Sequence, residues 1–271
     1  MTIVDRGSGP PLVLVPGLQG RWEYLRATVE ALSAFFRVLT FPLCGENGSG
    51  RTVNPELGLD NFTEQIADVL ARKALGQATI CGVSFGGRTA LRFAATRTAA
   101  TSALILVSTP GPGYQLSPRH AVYVRAPWLF GPLFLAETPF RLRAELRRAL
   151  PDARERRAFG LDALRSLFRA PVSLPRMAAR ARLLTGGDPA GDCSRVVAPT
   201  LVISGERDLD RVVPADGTSE YARLIPGARL TIIEGTGHIG ALTRADLFAA
   251  MVRDFVRDGA GAAPGMHGQV A

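Results

Sequence analysis

A chain of 271 residues with 46% hydrophobic content is long enough to bury one enzyme-sized core. Its net charge of +8 is confined to residues 111–195, where fifteen arginines face seven acids. There Arg147, Arg148, Arg154, Arg156 and Arg157 alternate with Glu145, Asp152 and Glu155 as on solvated helix faces. No stacking aromatics are interleaved, so nucleic acid is not an expected partner, and Cys44, Cys81 and Cys193 stand at spacings that suit neither a disulfide framework nor a zinc site.

The first residues, MTIVDRGSGPP, lack the basic start and apolar stretch of a secretory leader, which predicts a cytoplasmic protein. Residues 12–15 and 36–41 are short apolar runs closed by Pro16-Gly17 and by Pro42, as buried strands are. Between them Leu25, Val29 and Leu32 recur at helical spacing. Residues 61–75 then read as helix, 78–83 as strand, 85–96 as helix and 103–107 as strand.

After Gly111 this alternation lapses into Arg- and Leu-rich helical pattern. Its most apolar stretch, residues 126–136, is too short to cross a bilayer and is expected to pack inward or to line a cavity rather than to form a surface that touches lipid. Alternation resumes at Val196, with a strand at 200–204, a helix at 216–224, a strand at 230–233 and a closing helix at 243–256. Such a chain predicts an α/β fold: a mostly parallel sheet covered on both faces. The expected division is a core of residues 1–110 and 196–258, a helical insertion of residues 111–195 and a flexible tail of residues 259–271.

Ligand sites in open α/β sheets form at the carboxyl ends of strands. At one such exit Gly82-Val83-Ser84-Phe85-Gly86 joins a strand to a helix, as a nucleophile elbow does; the glycines leave room for a turn too tight for side chains, and the helix start aims N–H groups at the serine. After the strand at 200–204 comes Asp208, with Asp210 as the fallback acid. The last strand leads into Glu234-Gly235-Thr236-Gly237-His238. The chain order Ser84, Asp208, His238 is that of a serine nucleophile, an orienting acid and a general base. The loop Pro16-Gly17-Leu18-Gln19-Gly20 supplies the remaining part, with the backbone N–H groups of Leu18 and Phe85 as expected oxyanion donors.

With these motifs the chain resembles the α/β-hydrolase superfamily, from GSGPPLVLVPG through GVSFGG and PTLVISGERD to GTGH. The resemblance implies that residues 111–195 are a helical cap inserted after the sixth strand of the family pattern. Two features depart from that pattern. Pro16-Gly17 stands where members commonly carry His-Gly, and the chain starts near the second strand, so the sheet is expected to be one strand short.

The implied activity is hydrolysis of a small carboxylic ester, with a hydrophobic acyl or alkyl group, through an acyl-enzyme on Ser84. No cofactor and no metal are called for, and no integral membrane segment is expected. Thioester, lactone, carbon–carbon or acyl-transfer chemistry fits the same residues, as does a non-catalytic binder. Residues 235–240 also formally satisfy GxGxxG, but no later strand follows to hold a dinucleotide ribose.

Overall fold

The computed structural model describes residues 1–261. Strands β1 (Val4–Arg6), β2 (Pro11–Val15), β3 (Arg37–Thr40), β4 (Ala78–Val83), β5 (Thr101–Val107), β6 (Thr200–Ser204) and β7 (Arg229–Ile232) form one sheet in the order β1-β3-β2-β4-β5-β6-β7. All neighbours are parallel except β1 with β3. β1 is a three-residue edge strand that the hydrophobic pattern did not reveal, because its side chains are largely exposed and it is held by backbone pairing and by Asp5, which accepts from Arg37 of β3.

Side chains alternate across the pleat, so each central strand feeds two cores. Val13, Val15, Ile80, Leu104, Leu106 and Val202 pack on one face against α2 (Asp60–Arg72) and α3 (Phe85–Thr96), through residues such as Phe62, Ile66 and Phe93. Leu12, Leu14, Cys81, Ile105 and Ile203 pack on the other against α1 (Arg26–Ser33) and α11 (Ala245–Gly261), through Val29, Leu32, Phe248 and Val252. Each such buried side chain contributes about 1.5–3 kcal/mol relative to exposure, which is why near-continuous apolar runs dictate central strands.

Five helices lie between β5 and β6: α4 (Pro118–Arg125), α5 (Pro127–Ala149), α6 (Ala153–Arg169), α7 (Leu174–Leu183) and α8 (Pro189–Arg195). The buried Arg88 of α3 ties down both roots of this segment, donating to the carbonyls of Gly111, Leu184 and Gly186 at 3.4, 3.3 and 3.1 Å. Residues 126–136 meet the expectation only in part: Trp128 is 78% and Leu129 71% exposed. The same stretch also packs inward at Gly131, which is buried, and at Phe130 and Phe134, whose rings lie against Tyr123.

The chain closes with α9 (Ala215–Leu224), the single-turn α10 (Gly240–Thr243) and α11. The expected flexible tail overlaps α11 as far as Gly261, and its remainder, residues 262–271, lies outside the described residues. No helix among the described residues is long and apolar enough to cross a membrane.

Candidate active site

Four strand exits meet along one rim. The Ser84 N–H donates to the Val107 carbonyl at 2.8 Å, Ser108 N–H to Ile203 at 2.9 Å and Ile233 N–H to Ser204 at 2.9 Å, so a chain of backbone bonds runs from β4 across β5 and β6 to the end of β7.

Ser84 sits between β4 and α3 with φ +54° and ψ −118°, a left-handed conformation that side chains rarely adopt. The neighbouring glycines explain how the turn closes. A Cβ on Gly82 would strike the Gly86 carbonyl, and one on Gly86 would strike the carbonyls of Val15 and Pro16. The loop after β2 is equally close, since a Cβ built on Gly17 lies 3.6 Å from the Ser84 Cβ. Neither the Leu18 nor the Phe85 N–H donates to a protein acceptor among the described residues.

The Leu18 loop is held from below by α7. Arg180 is 2% exposed; it donates to the carbonyls of Leu18 and Cys44 at 3.1 and 3.3 Å and to Glu46 at 2.6 Å, and Arg176 adds a second contact to Glu46 at 3.1 Å. Burial pulls the Arg180 pKa down, and Glu46 opposes that shift. An arginine from a segment that reads as solvated helix is thus a buried strut of this loop.

His238 lies in the turn after β7, beside a carboxylate that the sequence ranked second. Its Nδ1 is 3.3 Å from the Asp210 Oδ2, and the Asp210 side chain is fully buried while that of His238 is 12% exposed. The other Asp210 oxygen accepts the N–H groups of Val212 and Val213 at 2.9 and 2.8 Å, which fixes the carboxylate. Asp208, the acid expected from the sequence, is exposed and makes no bond to the imidazole. The cause is local: Leu209 and Asp210 both donate N–H to the Glu206 carbonyl, and the resulting turn carries residue 208 outward and residue 210 inward.

Backbone meets backbone where the two loops join. A Cβ on Gly205 would strike Gly237, and one on Gly237 would strike the Leu209 carbonyl. The Gly235 N–H donates to the Glu206 carboxylate at 2.6 Å, and the Glu206 N–H donates to the Thr236 carbonyl at 2.8 Å.

A third carboxylate reaches this turn from the helical segment. Glu145 of α5 is 0% exposed and accepts the Ile239 N–H at 2.9 Å. Burial raises its pKa, opposed by the Gly237 and Ile239 amides and by His238. Nothing in the local sequence marks it, because Arg143, Arg147 and Arg148 around it are those of a solvated helix face.

No cysteine competes with the serine as nucleophile. Cys44, Cys81 and Cys193 are free and buried, and burial pushes all three thiols up, Cys193 to about 12. His120 lies on α4, with its Nε2 3.1 Å from Arg141, apart from the Asp210–His238 pair.

The sequence matches the Alpha/beta hydrolase family over residues 12–251. The chain therefore belongs to that family, and it is an α/β-hydrolase enzyme. A pimeloyl-[acyl-carrier protein] methyl ester esterase of Nitrosomonas europaea is 29% identical, covering 92% of this chain and 96% of its own length. A 2-hydroxymuconate semialdehyde hydrolase of Pseudomonas sp. strain CF600 is 26% identical, covering 96% and 91%. Among solved structures, the enol-lactonase of Burkholderia xenovorans LB400 shares the fold with a TM-score of 0.74 at 24% identity, covering 94% of this chain and 96% of the other.

Proposed function

We propose that this chain is a serine esterase in which Ser84 is the nucleophile, His238 the general base and Asp210 the orienting acid. The observation that carries the reading is the pairing of a buried carboxylate with His238 on the same rim that presents Ser84 in a strained elbow.

In this scheme His238 removes the Ser84 proton as the serine oxygen attacks the ester carbonyl. The Leu18 and Phe85 N–H groups stabilise the oxyanion. The imidazolium returns the proton to the departing alkoxide, and water repeats the sequence on the acyl-enzyme to release the acid. Asp210 fixes the Nδ1–H tautomer, so that Nε2 is the base. Residues 111–195 serve as a cap over the site, with Arg180 supporting the Leu18 loop from one side and Glu145 reaching the His238 turn from another.

The substrate class is a small carboxylic ester with an apolar acyl or alkyl part. The methyl ester esterase relative supports it. The 2-hydroxymuconate semialdehyde hydrolase relative favours, as a second reading, cleavage of an activated carbon–carbon bond by the same residues. A panel of p-nitrophenyl esters of rising chain length, run beside a vinylogous 1,5-diketone, separates the two. Ser84→Ala is expected to lower kcat on the preferred substrate by at least about three orders of magnitude. Near-normal turnover by that variant contradicts the proposal.

A further inference from the structure

The deepest contact between the helical segment and the site is one that triad chemistry does not require. Glu145 crosses from α5 to the turn that carries His238. Its Oε1 accepts the N–H of Ile239, the residue next to the imidazole, and its Oε2 is buried with no partner in hydrogen-bond geometry among the described residues, although the Gly237 amide also favours the anion. A buried carboxylate oxygen left without a partner is costly and persists where the surroundings hold it for another reason.

The surroundings supply one. The charged groups that act on Glu145 are His238, which favours its anion, and Asp210, which opposes it. On its own helix Arg148 lies over Gly235 at the start of the same turn, and Glu206 holds the Gly235 N–H from the β6 side. Three carboxylates therefore grip one short turn: Glu206 at its beginning, Asp210 on the imidazole and Glu145 just after the imidazole.

We infer that Glu145 is a positioning residue that couples the cap to the catalytic histidine, fixing the His238 turn through the Ile239 N–H and favouring the imidazolium with its negative charge. The inference rests on His238 acting as the base. It makes the cap a working part of proton transfer: only a docked α5 completes the turn, so a shift of α5 loosens the base. A carboxylate there also assists when it matters, because the imidazolium exists after Ser84 is deprotonated and until the leaving group is protonated.

Glu145→Gln and Glu145→Ala separate the hydrogen bond from the charge. The Gln amide oxygen still accepts from Ile239, whereas Ala removes both. Glu145→Ala is expected to lower kcat roughly 10- to 100-fold while KM changes less than about threefold, and Glu145→Gln to recover most of kcat on the alkaline plateau. Losing the anion disfavours the imidazolium, so the acid limb of kcat/KM in Glu145→Gln is expected to lie at lower pH than in the wild type. The His238 imidazole resonance, followed by NMR titration in both forms, is expected to change in the same direction without any turnover. Glu145→Ala with kcat within twofold of wild type, or identical His238 titrations in wild type and Glu145→Gln, overturns the inference. A Ser84→Ala variant that still turns over removes the triad reading instead, and leaves the Glu145–His238 coupling to the titration.

Discussion

Asp210 lies 3.3 Å from the His238 Nδ1 and is anchored at its other oxygen by two backbone N–H groups, whereas Asp208 faces solvent two residues away. Asp210→Asn keeps the size and one acceptor but allows the wrong imidazole tautomer. Its kcat is expected to fall by roughly three to four orders of magnitude. Asp208→Asn is expected to stay within about threefold. Steady-state kinetics of the two variants on one ester check the assignment, and equal losses would contradict it.

Gly237 packs its Cα against the loop that carries Asp210. Gly237→Ala pushes on the Leu209 carbonyl and the Asp210 N–H, so it separates acid from histidine before it unfolds the sheet. The expected signature is a loss of kcat larger than about 10²-fold with a destabilisation of only about 1–3 kcal/mol. Gly86→Ala, whose Cβ strikes two carbonyls of the β2 exit, is expected to lower the yield of folded protein, as thermal melts and soluble expression will show.

The Arg180–Glu46 pair is almost fully buried, with side-chain exposures of 3% and 2%. Removing Arg180 leaves Glu46 with the half-exposed Arg176 as its remaining cationic partner, so Arg180→Met is expected to cost at most about 3–5 kcal/mol in denaturant unfolding. Arg180→Met combined with Glu46→Gln is expected to recover much of that stability. It is not expected to recover activity fully, because the Leu18 carbonyl has lost its donor and the loop that presents the Leu18 N–H is free to turn.

Burial raises the Glu145 pKa in the folded protein above that of the unfolded chain. Between those two values the native state holds more protons than the unfolded state, so stability falls as pH rises through that window. The contribution is fully present below the ordinary glutamate pKa and is lost above the raised one. Glu145→Gln has no such proton, and its unfolding free energy is expected to lack that segment of slope when the two proteins are titrated in parallel from acid to neutral pH.

Much of this site is legible in the residues alone, and the exceptions depend on how elements turn and dock. Ser84 and His238 are marked by glycine-rich turns at the ends of apolar strands, a local signal that needs no tertiary information. The choice between Asp208 and Asp210 depends on the direction of a single turn, set by the Glu206 carbonyl, and spacing does not encode it. Glu145 and Arg180 are harder still. Each sits among arginines in a helix that reads as solvated, and only the docking of α5 and α7 onto the sheet buries it. The reverse error arises within residues 126–136, where apolar composition suggests burial throughout and α5 buries Gly131 but leaves Trp128 and Leu129 in water. The edge strand β1 is hidden because its short run carries no apolar alternation and its side chains are largely exposed.

The most direct test of the central claim is fluorophosphonate labelling followed by mass mapping of the modified residue. Stoichiometric phosphonylation of Ser84 is predicted, slowed by orders of magnitude in His238→Ala and Asp210→Asn and hardly at all in Asp208→Asn. Modification at any other residue, or a rate at Ser84 that ignores His238, would contradict the account.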